Sequence, residues 1–141
     1  MANVIPYAFR GELFTGTHNF ASGGDSFKLA LYTASPYDTS STVYNATNEV
    51  SASGTNYTTT GNTLAGNAVA YGTAVASCDF TDSTWSSATF TAAFGAIYND
   101  SQSDKLCVVL DFSGNKTATN GTFTVTFPSP STPADAIISM A

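Results

Sequence analysis

Hydrophobic and polar residues alternate along several stretches of this sequence, and the alternation predicts β-strands. In Thr122–Phe127, phenylalanine and valine alternate with threonine, so one face of the strand is apolar and the other polar. Thr89–Tyr98 alternates in the same way, and Gly95 within it suggests a bulge or a close backbone approach. Between them, Lys105–Phe112 is apolar at nearly every position, as in a central strand covered on both faces. The short polar linkers predict an antiparallel meander of these three strands, with Asn120-Gly121 suited to a tight turn.

Further strands are predicted at Phe27–Thr33, Ala74–Phe80 and Ala136–Met140, which brings the number to at least six. Helical periodicity is missing, apart from a possible single turn around Tyr7–Phe14 that is too short to stand alone. Six or more antiparallel strands in so short a chain must close as a barrel or pack as a sandwich. We therefore predict an all-β fold: a single-domain antiparallel β-sandwich or barrel over residues 26–141, with long irregular loops.

Two segments show no sustained period. Ala34–Gly72 predicts long loops or short edge strands, and a loop of this length in a compact domain usually serves contact with something else. Residues 1–25 are similarly irregular, and we expect them to form an N-terminal arm that reaches a neighbouring subunit. The candidate partner contacts in these segments are aromatic: Tyr7, Phe9, Tyr37, Tyr44 and Tyr57.

Composition and charge limit the classes of function. The 141 residues fit one domain, and 43% of them are hydrophobic, which is enough to bury a substantial core. Only 10% are charged, and threonine, serine, asparagine and glycine supply the polar surface, which suits packing against other protein. The net charge is -6 and the four basic residues are scattered, so we expect no binding to nucleic acid. An outward-facing position on an assembly is compatible with this acidic balance.

The sequence opens without a basic leader and an apolar run, and no stretch reaches the roughly 18 apolar residues of a membrane span. We therefore expect a protein that is made and assembled in a cytoplasm and does not associate with a membrane. Cys78 and Cys107 are then expected to be reduced thiols. Both fall at interior strand positions without CxxC spacing, which favours a role in the core over a redox or metal role.

Residue types that carry chemistry are sparse. Any Ser-His-Asp or Cys-His arrangement must run through His18, the single histidine, which we interpret as a structural or solvated turn residue. Asp100 and Asp104 flank a polar loop but match no EF-hand pattern. The scattered carboxylates single out no glycosidase pair, although the sequence does not exclude one. We predict no enzyme, no cofactor and no metal site.

A binding module is the main alternative class. Trp85 and the loop tyrosines could form a platform for sugar rings, as in some carbohydrate-binding β-sandwiches. A large aromatic residue just before a strand more often caps a core, and we favour that role for Trp85.

An ordered series of segments gives the chain a resemblance to a known family. The segments are Phe27–Thr33, Thr47–Val50, Tyr57–Gly61, Trp85–Ala92 ending in Ile97-Tyr98, Asp111–Lys116 and Gly121–Phe127. In order and spacing, this series resembles a family of small structural proteins of tailed bacteriophages, over roughly residues 13 to 139.

The resemblance implies a component of the virion. Within the virion we favour a capsid decoration, or cement, protein on the capsid surface that binds and stabilises the lattice of the major capsid protein. Such a protein is expected to be a small homo-oligomer, a trimer or a dimer, at symmetric joints of the shell. A structural module of the tail, neck, baseplate or fibre is the closest alternative, a carbohydrate-binding module is third, and an enzyme is last.

Overall fold

A computed structural model describes residues 2–128 and 136–140 of the chain. The described part contains one α-helix, one 3₁₀ turn and seven strands. In chain order these are α1 (Tyr7–Phe14), β1 (Phe27–Tyr32), β2 (Asn62–Thr63), β3 (Ala68–Tyr71), β4 (Ala76–Asp79), β5 (Ser83–Asn99), the 3₁₀ turn (Asp100–Gln102), β6 (Lys105–Val125) and β7 (Ile138–Met140).

The strands form two antiparallel sheets. The larger sheet has the order β2-β1-β5-β6 and the smaller one has the order β3-β4-β7. Leu29 and Val108 from the larger sheet and Cys78 and Ile138 from the smaller one belong to one buried apolar cluster, the main core. Over the described residues the strands form no closed barrel, so the predicted all-β fold is confirmed in its two-sheet form.

β5 and β6 form one long hairpin, which corrects the predicted three-stranded meander. Residues 113–121, expected as a linker, belong to β6, and this segment pairs with β5 through Lys116 opposite Ala92 and Ala118 opposite Phe90. The residues that suggested a turn fall at irregularities in the pairing instead. Asn120, for example, has a φ of 46° but remains in the strand.

Strand β1 is covered on both faces, because its side chains alternate between two apolar clusters. Phe27, Leu29 and Leu31 belong to the main core. Ala30 and Tyr32 belong to a second, smaller apolar cluster, which loop residues after β1 help to form. This explains why strand β1 is apolar at almost every position.

Phe94 lies on the opposite face from the one that its alternation with Phe90 predicts. The pairing register shifts between Ala92 and Phe94, and a shift of this kind turns later side chains to the other face. Phe90 therefore belongs to the main core and Phe94 packs against the second cluster. At Gly95 a side chain, and not a backbone as predicted, approaches closely, because a Cβ there would lie 3.1 Å from Cδ1 of Leu29.

Residues 2–25 pack onto the sheets and do not extend as an arm. The backbones of Val4 and Val109 exchange two hydrogen bonds, of 2.9 and 2.8 Å. Phe9 is fully buried in the main core, and the ring of Phe20 stacks on Phe27 at 4.4 Å. The predicted single turn is a two-turn helix, α1, and packing of this kind stabilises a helix too short to form alone.

The irregular segment Ala34–Gly72 consists mainly of loops with the short strands β2 and β3, as predicted. Its loops are not free, however. Tyr37, Val50 and Tyr57 are each about 95% buried, and they contribute to the two apolar clusters. A deletion within this segment would therefore remove core residues together with any partner contacts.

Candidate functional site

Residue types that could perform catalysis meet in one cluster, which we call the His18 cluster. It is buried at His18, Asn99 and Cys107 and part-exposed at Glu12 and Lys105. The Nε2 atom of His18 lies 2.8 Å from a carboxylate oxygen of Glu12, and Nδ1 lies 2.9 Å from Nδ2 of Asn99. The Sγ atom of Cys107 is 4.0 Å from Nδ1. Lys105 donates to the other oxygen of Glu12 at 2.5 Å. The cluster therefore places a thiol, an imidazole and a carboxylate next to one another in space, in that order.

The hydrogen bonds of Asn99 determine the tautomer of His18. The Nδ2 group of Asn99 carries two hydrogens, and one of them bonds a carboxylate oxygen of Asp25 at 2.8 Å. The other faces Nδ1 of His18, which must then be the acceptor. Nε2 consequently carries the proton and donates it to Glu12. The lone pair that would have to deprotonate Cys107 is already occupied by Asn99.

Burial also argues against a nucleophilic role for Cys107. The residue is fully buried, and the side chain of His18 has no exposed surface. Burial raises the pKa of the Cys107 thiol well above its usual value, and only the thiolate is a strong nucleophile. The cluster connects the N-terminal residues to strands β5 and β6. Of the two roles expected for His18, a structural residue or a solvated turn residue, the structure therefore shows the structural one.

The sequence could not indicate the partners of His18. Asn99 and Cys107 lie 81 and 89 residues away along the chain, and Glu12 is bonded to Lys105 across 93 residues. Burial on its own raises the pKa of Glu12, but hydrogen bonds from Lys105 and His18 outweigh it and hold the pKa below its usual value. Glu12 is therefore ionised at neutral pH and forms an ion pair with Lys105.

Among the described residues, no three His, Cys, Asp or Glu side chains gather as ligands for a metal ion. Nor does any helix in this part of the chain have the length and apolar character to cross a membrane.

Three of the five predicted partner contacts are buried. Phe9, Tyr37 and Tyr57 are at most 5% exposed, so their aromatic surface faces the interior, where no partner can reach it. Tyr44 is half-buried, and Tyr7 is exposed. The irregular pattern of these segments predicts exposed loops, but in the structure their tyrosines pack the loops against the sheets.

Glu49 shows how the loop tyrosines are held. Tyr44 and Tyr57 donate their hydroxyl protons to the two carboxylate oxygens of Glu49, at 2.6 and 2.7 Å. The backbone N–H of Thr60 donates to the same carboxylate at 2.8 Å, and the hydroxyl of Tyr57 accepts the N–H of Leu31 at 3.0 Å. These bonds join two loops to β1, which is a structural role.

Trp85 occupies the core position that we favoured. It is 3% exposed, and its ring packs near those of Tyr57 and Phe123, with centroid distances of 6.1 Å to each. A sugar-binding platform needs exposed rings, and neither Trp85 nor Tyr57 provides one. This arrangement disfavours the aromatic platform on which the carbohydrate-binding alternative depended.

Apart from Val43, the exposed large apolar residues of the described chain lie on or near helix α1, in a surface that we call the α1 patch. Phe14 at the end of the helix is 94% exposed, and Tyr7 at its start is 56% exposed. Strand residues Tyr71 and Met140 are 83% and 58% exposed. The patch consists of Ile5, Tyr7, Leu13, Phe14, Val69, Tyr71 and Met140.

Two neighbouring grooves join five of these residues, Ile5, Leu13, Phe14, Val69 and Met140, into one surface. The larger groove, of about 300 Å³, is lined by Ile5, Leu13, Phe14 and Met140 among others. The smaller, of about 110 Å³, lies between Leu13, Met140 and Val69. Leu13 and Met140 line both grooves, so helix α1 and strands β3 and β7 contribute to a single apolar surface.

Register and helix geometry explain how the patch forms. Tyr71 pairs with Ala76, and Ala76 pairs with Met140, so these side chains form a row on one face of the smaller sheet. On α1, Tyr7 and Phe14 are seven residues apart and therefore lie on the same side of the helix. Tyr7 is the one member of the patch that the sequence predicts as a partner contact, although this seven-residue spacing in a short helix is a usable signal for Phe14 as well.

No protein-family model matches the chain, and neither curated proteins nor solved structures provide a match.

Proposed function

We propose that this chain is a non-enzymatic structural protein of a tailed-bacteriophage virion, and that it is a capsid decoration protein bound to the lattice of the major capsid protein. The α1 patch carries the proposal. Monomeric proteins rarely expose contiguous apolar patches larger than a few hundred Å², and larger patches mark sites of contact with protein, membrane or ligand, of which we propose the first here. The expected role is to stabilise the shell by assembly, without a reaction.

The His18 cluster supports a role without catalysis. A nucleophile must be ionised and within reach of a substrate, and Cys107 is fully buried with a raised pKa. The imidazole beside it is enclosed and already hydrogen-bonded on both ring nitrogens. These groups stabilise the fold, as expected in a structural protein.

The exposed face of the β5–β6 hairpin supports packing against a protein lattice. It is rich in threonine, and hydroxyl groups meet across the strands, with Oγ1 atoms of Thr91 and Thr117 2.7 Å apart. Thr84 and Thr124 face each other in the same way at 3.4 Å. Covering such a face costs less desolvation free energy than covering a charged one, because hydroxyl groups that keep hydrogen-bond partners are cheaper to bury than charges. The sequence resemblance supports the virion as the setting.

Shells that lack this protein provide the test. Purified protein is added to such shells and, separately, to isolated tails, and bound protein is measured after sedimentation. We expect saturable binding to shells, with bound copies proportional to the major capsid protein, and shells that resist heating better after binding. Binding to tails alone would overturn the capsid proposal and favour a tail, neck, baseplate or fibre module. Binding to neither would overturn both.

A variant pair shows whether binding depends on the patch. Phe14→Asp places a charge at the centre of the patch, whereas Val43→Asp alters an apolar residue that is 49% exposed and lines neither groove of the patch. We expect Phe14→Asp to weaken binding to shells and Val43→Asp to leave it near that of the wild type. Equal binding by all three proteins would show that the patch does not serve this function.

A further inference from the structure

We propose that the α1 patch is a twofold interface between two copies of this chain, in which Phe14 of each copy fills the larger groove of the other. The inference rests on the proposed function only for its place in the virion. It deepens that proposal by identifying the oligomer as a dimer and the α1 patch as the surface that forms it. In the dimer the patch contacts the second copy, the threonine-rich face of the β5–β6 hairpin contacts the major capsid protein, and Phe14→Asp weakens shell binding by separating the two copies.

Phe14 and the larger groove beside it have matching shapes. Phe14 is 94% exposed, so it projects from the end of α1, and the groove of about 300 Å³ lies directly beside it. Ile5, Leu13 and Met140 line that groove with apolar side chains, and its volume is sufficient for a phenyl ring. A projection next to a matching groove is self-complementary under a twofold axis, because residue i then contacts residue j while j contacts i.

The outer side of α1 leaves room for a second helix. Gly11 lies between Tyr7 and Phe14, and apart from its neighbours and the backbone of its own helix no atom lies within 4 Å of the position that a Cβ would take there. A second helix can therefore approach closely at this point, as helices with small residues at the contact do. In an antiparallel pairing centred on Gly11, Phe14 of one copy reaches the N-terminal end of α1 in the other, where Ile5 lines the larger groove.

The α1 patch carries little charge, although the whole chain is acidic. Each copy carries a net charge of -6, so two copies repel each other unless the contact surface avoids carboxylates. Of the described residues that line the two grooves, Arg10 is the only charged one. Glu12, on the same helix, is directed to Lys105 and His18 in the interior. The α1 patch is thus a part of the surface where like-charge repulsion between copies is small.

The exposed area of the α1 patch is close to the area that a stable dimer interface buries. The exposed parts of the patch side chains amount to roughly 700 Å² per copy, taking about 150 to 250 Å² for each fully exposed large side chain. A stable interface of standard size buries about 800 Å² on each partner. The α1 patch therefore supplies nearly the whole of the area that a dimer needs, from one surface and mostly from apolar atoms.

The test measures the mass of the full chain in solution by sedimentation equilibrium over a series of concentrations. We expect a dimer at micromolar concentrations. Phe14→Asp should weaken the dimer by at least about 30-fold, as expected for a central aromatic contact. Gly11→Gln should also produce monomers, because the longer side chain blocks the approach of the second helix. Val43→Asp, outside the patch, should leave the dimer intact.

Gly11→Gln guards against a trivial loss of folding. The site has open space and no positive φ, and glutamine favours helix over glycine, so the variant should unfold at a concentration of urea equal to or above that of the wild type. A stably folded Gly11→Gln monomer supports the interface. A wild type that is monomeric or trimeric, or variants in which the dimer persists, would overturn it.

Shell binding separates this inference from the proposed function. A wild-type chain that is monomeric in solution and on the shell, but whose binding to shells Phe14→Asp still weakens, would overturn the dimer and leave the function standing. A chain that forms the Phe14-dependent dimer but binds no shell would overturn the function and leave the dimer standing.

Discussion

Replacement of Phe9 by alanine tests whether the N-terminal residues belong to the folded body. Phe9 is fully buried, with its ring centroid 5.0 Å from that of His18 and 6.0 Å from that of Phe20. The helix that carries it is fixed by the ion pair of Glu12 with Lys105, so the cavity left by the ring cannot close easily. Phe→Ala changes at such sites cost about 3 to 5 kcal/mol of stability.

Urea unfolding followed by tryptophan fluorescence measures this cost. With a slope of about 2 kcal/mol per molar urea, a loss of about 4 kcal/mol lowers the midpoint by about 2 M. Phe14→Ala is the matched control, because it makes the same change on the same helix at a side chain that is 94% exposed. Measured on the monomer, it should change stability by about 0.5 kcal/mol or less. Equal urea midpoints for Phe9→Ala and the wild type would show that packing of Phe9 does not stabilise the fold. That result would favour the N-terminal arm predicted from the sequence.

Three further predictions concern the interior. Glu12→Gln should lower stability by about 1 to 3 kcal/mol at neutral pH. The folded pKa of Glu12 lies below 4.5, so its contribution is present above that value and is lost as pH falls through the folded pKa; urea midpoints of variant and wild type should therefore converge in acid. Cys78 and Cys107 should both be free thiols that an aromatic disulfide reagent modifies only on unfolding, because burial raises the pKa of Cys78 to about 12 and that of Cys107 well above its usual value; rapid native modification or a native disulfide would contradict this. Gly61→Ala should destabilise strongly in thermal melts, because Gly61 has a φ of 81° and an added Cβ would collide with the carbonyl oxygen of Leu29; an unchanged melting temperature would contradict the geometry.

The strands were largely predictable because alternation in a sequence reflects a sheet with distinct faces. Phe27–Thr33 and Ala74–Phe80 were predicted, and the structure has β1 and β4 within those ranges. The continuity of β6 was not predictable from turn residues, because bulges accommodate Ser113 and Asn120 within the strand. Local composition indicates where a chain can turn but not whether a partner strand keeps it extended.

The surfaces were less predictable than the strands. Burial of Tyr37 and Tyr57 depends on where Glu49 and β1 lie in space, which no periodicity in the sequence reports. Exposure of Phe14 depends likewise on how α1 lies on the smaller sheet. A family resemblance can suggest a virion as the setting, but the contact surface depends on packing between distant segments.

The number of copies of this protein in each virion tests the central proposal most directly. Purified particles are digested, and peptides of this chain are quantified against peptides of the major capsid protein. A decoration protein on symmetric joints should be present in a fixed ratio to the major capsid protein, on the order of hundreds of copies per particle. A count of about a dozen or fewer, as the symmetry of a tail or neck ring would require, or the absence of the protein from particles would contradict the capsid proposal.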